Sequence, residues 1–357
     1  MNRSERVLSL VDKLWERESA ARAQHGLPLH HVLDIAQFPV GFSKDVLAEL
    51  DAACAEWIAT EPQQPNAYVM QAFTKATLFE PVPADSAIKI FQRLLPAEPF
   101  GAMRFSSAPE SEVANIPEIS GEMPRAGALY VGCDDRYFKN FGIALLRSLA
   151  TVAPGAPIHV HLMAPSLAVL GHVNGLPLSL TVTYENPAAF IADHKITPNA
   201  YYHVARLLRF ADIAAASDHP VWLLDADALV TRDPRALLDV ASDMALRLRP
   251  GRIEPFNHVS ACVVMGCKRS AAYFQAVGEI IRRGITKAWW GMDQYALFAA
   301  YLRCRPNALL VGPDVAEVGG ITTDGVFSFT AGKNKAKLLT DQTPYATLFR
   351  RYLGIPA

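Results

Sequence analysis

Apolar side chains recur at helical spacing along the first hundred residues. In "SERVLSLVDKLWERESAARA", Val7, Leu10, Val11 and Leu14 share a face, as do Val46, Leu47, Leu50, Cys54, Trp57 and Ile58 in "SKDVLAELDAACAEWIA". Helices broken by proline follow from this pattern, with Ser43 as an N-cap. From Gly101 to Gly127 the chain is rich in Pro, Ser and Glu and keeps no period, which reads as a linker. The expected organisation is a helical N-terminal domain over 1–100, a linker over 101–127 and a second domain over 128–357.

Past Gly127 the pattern changes to short apolar runs alternating with helical segments. "GALYVGC", "PIHVHLM", "LSLTVTYE" and "PVWLLDADALV" read as strands. "YFKNFGIALLRSLATV" and "NAYYHVARLLRFADIAAAS" read as helices between them. This alternation predicts an α/β domain with a mixed, mostly parallel sheet flanked by helices. Ligands of such sheets bind beyond the carboxyl ends of the strands. Asp134 and Asp135, and Asp225 and Asp227, fall at those ends.

At 357 residues, 51% of them apolar, the chain is long enough for two cores. Its 34 basic and 35 acidic residues leave no net pull toward nucleic acid. No apolar run is long enough for a transmembrane segment, and the charged start lacks a signal-peptide core, so a cytoplasmic protein is expected. Five scattered cysteines form no zinc-ligand pattern and read as reduced thiols.

Two acids at the end of a buried run need a reason. On an extended chain Asp225 and Asp227 project to one side with alpha carbons roughly 6.6 Å apart. Carboxylates that close repel unless solvent or a cation intervenes. Oxygen ligands suit Mn²⁺ or Mg²⁺, which takes further ligands from water and substrate phosphates, so a nucleotide diphosphate is the natural third party. The plain alternative is a solvated strand end with a turn at Asp233 and Pro234.

With its neighbours, this stretch resembles nucleotide-sugar-dependent glycosyltransferases of the GT-A type. The chain is most similar to family 8, which includes glycogenin and bacterial lipopolysaccharide galactosyl- and glucosyltransferases. The likeness is carried in order by "ALYVGCDDRY", "ARLLRFADI", "VWLLDADALV" and "WWGMDQYALF", and it extends from Ala128 to Lys337. It implies a Rossmann-like GT-A fold in a hexosyltransferase that moves a hexose from a UDP-sugar, with retention of configuration. The acceptor would be a glycan, a lipid-linked molecule or a protein.

By the same resemblance Asp134 would hydrogen-bond uracil beside its acidic partner Asp135, and Tyr137 would stack on the base. Arg206 would stand near the donor. Asp225 and Asp227 would bind Mn²⁺ or Mg²⁺, with Asp225 also near the ribose. Asp293 and Gln294 would lie beside the transferred sugar, and Gly332 and Lys335 would meet the diphosphate.

Two departures are visible. The family commonly supplies a third metal ligand from a His ahead of the Gly and Lys, and here Phe329 stands in its place in "SFTAGKNKAK". The family's sugar-facing Asn segment is also altered, so either Asn257 or Ser260 could fill that role in "FNHVSACVVM".

Each residue also has a plainer reading. Arg206 could lie on the exposed face of an amphipathic helix, Asp293 could cap the following helix, Tyr137 could simply pack, and Lys333, Lys335 and Lys337 could form a solvated basic face. His203, His219 and His258 read as structural or surface residues. Two other functions compete: a non-catalytic nucleotide-sugar-binding protein that lost activity with the His, and a phosphatase of the haloacid dehalogenase type. The phosphatase motif usually continues with Gly-Thr or Thr/Val, whereas Ala228 and Leu229 follow here, and no late GDxxxD pair is present.

Overall fold

The computed structural model describes residues 6, 44–60, 116–124, 127–173, 176–248, 259–288, 291–304, 306, 308–319, 323–330 and 332–355. The chain divides into two compact units. One comprises Met1–Glu112, Leu248–Ser260 and Gln294–Arg305, and the other Val113–Arg247, Ala261–Asp293 and Pro306–Ala357. The N-terminal unit is therefore not one continuous stretch of sequence. In it, helix Lys44–Thr60 buries Leu50, Ala53, Cys54 and Trp57, the stripe expected of a 3.6-residue period. Apart from residue 6, the first expected helix lies outside the described residues, as does Ser43.

The larger unit is an α/β layer structure, as the alternation predicts. The strands of the chain, in order, are β1 (Ser120–Gly121), β2 (Ala128–Asp134), β3 (Pro157–Met163), β4 (Ser179–Glu185), β5 (Val221–Leu224), β6 (Ala228–Val230), β7 (Met244–Leu248), β8 (Val259–Gly266), β9 (Leu309–Leu310), β10 (Ala316–Gly319) and β11 (Phe327–Thr330). The main sheet runs β1-β4-β3-β2-β5-β8-β7-β9. Its centre is parallel, with Leu129 opposite both Ile158 and Trp222, whereas β8 is antiparallel to β5. A small sheet runs β10-β11-β6. The described part of the expected linker includes β1, which pairs antiparallel with β4.

The structure corrects one sequence expectation: "PVWLLDADALV" is not a single strand. β5 stops at Leu224, the Asp225 carbonyl accepts the Ala228 amide at 2.9 Å, and the chain leaves as β6 in the small sheet. The two-residue alternation of an extended chain therefore fails at the motif. Asp225 and Asp227 stand in a tight turn between two sheets. Buried apolar residues on both sides hide this break from the hydrophobic pattern.

The two faces of the main sheet differ. Leu129, Val131, Ile158, Val160, Leu162, Trp222 and Leu224 belong to an apolar core. On β3 the alternate residues His159 and His161 are fully buried, within a polar layer. The rings of His159 and His161 share Thr183 at 2.9 Å, and Glu185 accepts from Tyr201 Oη at 3.0 Å and Arg209 Nε at 2.8 Å. Burial and the neighbouring His161 hold the His159 imidazole down to about 3, so it is neutral. Tyr201 and Arg209 belong to helix Pro198–Ala216, so this layer fixes that helix on the sheet.

Candidate functional site

The helix Pro198–Ala216 approaches β2 closely because Gly132 has no side chain. A Cβ there would come 2.8 Å from Arg206 Cβ and 3.2 Å from Arg206 Cα. Tyr130 adds a hydrogen bond from its hydroxyl to the Arg206 carbonyl at 3.1 Å. The approach brings Arg206 to the carboxyl ends of β2 and β5, and Arg206 is buried. The amphipathic-surface reading of this arginine is thereby corrected.

Arg206 holds two acids of the larger unit. One terminal nitrogen pairs with Asp225 Oδ1, and the other donates to Asp293 Oδ2 at 3.1 Å and to the Ala261 carbonyl at 3.4 Å. Burial disfavours the guanidinium charge, but Asp225 and Asp293 outweigh it and raise the arginine above its ordinary value. Asp225 keeps 27% of its side chain exposed, whereas Asp293 has 0%. Asp225 is thus the member of the pair that can meet a ligand directly.

Asp227 is 2% exposed, and its Oδ2 lies 2.9 Å from Lys335 Nζ. The Tyr345 hydroxyl bonds the Asp227 carbonyl and pins the turn from the C-terminal helix Pro344–Leu353. Burial pushes the Asp227 carboxyl up, Lys335 draws it down, and Asp225 pushes it up, leaving it above the usual range. Its Oδ1 is buried without a hydrogen-bond partner in another of the described residues. A cation would satisfy that oxygen.

Among the described residues no group of three His, Cys, Asp or Glu gathers to hold a metal. Phe329 is buried in the apolar core opposite Ala228, so its ring is a packing element. A divalent ion held by Asp225 and Asp227 alone would have to complete its shell with oxygens from a substrate and water.

Lys335 sits in the short helical segment Gly332–Lys337. Its Nζ donates to the Tyr137 hydroxyl and stands 4.9 Å from the centre of that ring, which packs on Phe141 at 4.6 Å. Tyr137 is thus engaged by packing and by the lysine at once. Asp134 Oδ1 accepts the Tyr137 amide at 2.6 Å and caps the turn leaving β2. Asp135 accepts the Ser166 amide at 2.8 Å and Lys139 Nζ at 2.6 Å. Burial is the largest single influence and raises Asp135, yet Lys139 and Ser166 together outweigh it and bring it down to about 2. Its visible role is to join the ends of β2 and β3.

The turn between β5 and β6 thus brings Arg206, Asp225, Asp227, Lys335, Tyr137 and Asp293 into one linked cluster. Gln294, next after Asp293, is buried and belongs to the other compact unit, as does Ser260. Asn257 and His258 lie outside the described residues. His219 stands in a surface turn with Ser217.

Sequence reasoning read His203 as a structural or surface residue. Its Nε2 lies 3.0 Å from Asp293 Oδ2, and its carbonyl accepts Arg206 Nε at 3.3 Å.

No family model and no curated protein matches the chain. Among solved structures it is similar to the apo form of the bifunctional glycosyltransferase WbbM, with TM-score 0.49 and 16% identity over 65% of this chain. This chain spans half the length of that WbbM structure, 50%. It is also similar to the galactosyltransferase LgtC in complex with donor and acceptor sugar analogs, with TM-score 0.46 and 16% identity over 64% of this chain and 95% of that one. The glycosyltransferase GlyE of Streptococcus pneumoniae TIGR4 scores 0.43 at 12% identity, over 64% of this chain and 61% of that one. No helix among the described residues is long and apolar enough to cross a membrane.

Proposed function

We propose that this protein is a glycosyltransferase that moves a hexose from a UDP-sugar to a glycan, lipid-linked or protein acceptor, with retention of configuration. One observation carries the reading. At the carboxyl ends of parallel strands, two acids two residues apart are each matched by a cation from a different element, Arg206 for Asp225 and Lys335 for Asp227. A leaving diphosphate calls for such a balance: carboxylates to seat a divalent ion and fixed positive charge beside the departing oxygens. The ordered motifs "CDDRY", "ARLLRF", "DAD" and "MDQ" support the UDP-sugar assignment.

Asp225 and Asp227 would hold Mn²⁺ or Mg²⁺, whose charge would stabilise the leaving diphosphate. Lys335 would turn from Asp227 and Tyr137 toward the phosphate oxygens, with Gly332 allowing the backbone to come close. Arg206 keeps Asp225 oriented while the bond from the anomeric carbon to the diphosphate breaks and the acceptor hydroxyl oxygen bonds to that carbon, its proton passing to the departing diphosphate. Asp293 is buried and bound through Oδ2 to Arg206, so it orients and does not attack. Asp134 and Tyr137 would meet the base.

A donor-hydrolysis screen over several sugar nucleotides, with and without Mn²⁺, tests this without an acceptor. Release of UDP from a UDP-hexose, dependent on added metal and lost in Asp227→Ala, is the expected result. UDP binding with no turnover of any donor would instead favour a non-catalytic nucleotide-sugar-binding protein. Phosphate release from simple phosphoesters without UDP binding would favour a phosphatase.

A further inference from the structure

Each acid of the turn between β5 and β6 already has a cation of its own: Arg206 pairs with Asp225, and Lys335 Nζ stands 2.9 Å from Asp227 Oδ2. A divalent ion arriving alone would meet carboxylates whose charge is already balanced, with an ammonium on one of them. We infer that Lys335 is an internal counter-ion that holds Asp227 until a nucleotide diphosphate draws it away, so that metal and nucleotide enter the site together. The inference rests on the glycosyltransferase reading and concerns the regulation of that same site.

The ammonium is held on several sides. Lys335 Nζ donates to the Tyr137 hydroxyl and lies 4.9 Å from the centre of the Tyr137 ring and 5.5 Å from that of Phe141. Burial, then Asp227 and Asp225, push the Tyr137 hydroxyl well up, so it is neutral and receives the ammonium through a lone pair. Carboxylate, hydroxyl and aromatic faces together suit a cation. Asp227 is 2% exposed, so water and salt screen this ion pair little. Its Oδ1 has no hydrogen-bond partner among the described residues. An ion on that oxygen would share one buried carboxylate with Lys335, and the two cations repel.

Release needs only the lysine side chain to move. Ahead of the segment Gly332–Lys337, β11 pairs Phe329 with Ala228. Behind it, buried Arg350 donates to the Leu338 carbonyl at 3.0 Å and to the Asp341 carbonyl. The segment is thus anchored on both sides, whereas the Lys335 side chain is 30% exposed on a flexible stem. A diphosphate offers the ammonium another anion and gives the metal oxygens, so each ligand favours the other through Lys335.

The test uses the full-length protein with Mn²⁺ alone as the probe, the free ion being read by electron paramagnetic resonance, and is repeated with UDP. Lys335→Gln removes the charge and is expected to bind Mn²⁺ alone about tenfold more tightly than wild type, and to gain less affinity from UDP. Lys335→Arg keeps the charge and should stay with wild type. The tight binding should vanish when Asp227→Asn is added to Lys335→Gln. Mn²⁺ affinity in Lys335→Gln no higher than in wild type, or an equal gain from UDP in both, overturns the inference.

A second arm reads the wild type itself. NMR of isotope-labelled lysines, with Lys335 assigned by its absence in Lys335→Arg, should show its Cε protons shifted upfield by the two rings. Mg²⁺ alone should leave them there, and Mg²⁺ with UDP should move them toward the ordinary lysine range. A signal that stays upfield with both ligands bound, or one that moves with Mg²⁺ alone, overturns the inference.

Donor turnover separates this inference from the reading beneath it. A wild type that hydrolyses UDP-hexose while Lys335→Gln binds Mn²⁺ no more tightly keeps the transferase reading and loses the counter-ion. Tight Mn²⁺ binding in Lys335→Gln beside a wild type that turns over no donor keeps the counter-ion and overturns the transferase reading.

Discussion

The guanidinium of Arg206 lies 3.1 Å from the buried carboxylate of Asp293 while its other terminal nitrogen pairs with Asp225. A lysine cannot span two carboxylates in this way, because it is a point charge on a flexible stem. Arg206→Lys is therefore expected to lower donor turnover on the order of a hundredfold, with a smaller effect on folding. Arg206→Met leaves Asp293 buried without its guanidinium and should destabilise the protein by about 3–5 kcal/mol. Paired urea titrations and initial rates check both, and an Arg206→Lys enzyme of full activity contradicts the shared-guanidinium account.

Asp227 and Lys335 make a different kind of pair. The acid is buried with one oxygen lacking a partner among the described residues, whereas the lysine is 30% exposed and can turn to water. Asp227→Asn removes a costly buried charge while leaving Lys335 soluble. It should abolish metal-stimulated turnover and leave the melting temperature unchanged or a few degrees higher, as happens when a site group trades stability for function. Calorimetry with and without Mn²⁺ reads both effects, and a clear drop in melting temperature would show that the pair is structural.

Much of this arrangement was legible in the chain. The parallel strands, the helix bearing Arg206 and the acids at the strand ends all follow from period and punctuation, because buried runs and helical stripes are local signals. The break between Leu224 and Ala228 was not, since residues on both sides are apolar and only pairing with two different sheets ends the strand. Nor was the polar layer of His159, His161 and Thr183, which depends on a register between β3 and β4 that no single segment encodes.

Gly132 sets the distance between β2 and the helix that carries Arg206. Gly132→Ala would place a methyl group 2.8 Å from Arg206 Cβ, in contact with the stem of the residue that orients Asp225. Overpacking of this sort costs about 1–3 kcal/mol. The helix must shift, so turnover should fall by more than the loss of stability accounts for. Rates measured well below the melting temperature separate the two, and a variant with normal kcat would show that the close approach has no bearing on the site.

Glu185 gives the sign of the acid limb of stability. Burial pushes its carboxyl up, but His161 and Arg209 outweigh burial and hold it below the ordinary range. A depressed folded-state value means that the unfolded chain binds this proton first as pH falls. The stabilisation is therefore complete above the ordinary carboxylate range and is lost as pH drops through the lower folded value. Glu185→Gln cannot titrate, so its stability should flatten across that acid window. At neutral pH it should be lower by about 3–5 kcal/mol, because Arg209 keeps its buried charge without the opposing carboxylate. Urea midpoints from neutral pH down to the acid limit, measured for wild type and variant, give both slopes. Parallel curves would mean that the buried layer draws its strength from hydrogen bonds alone and not from the charge on Glu185.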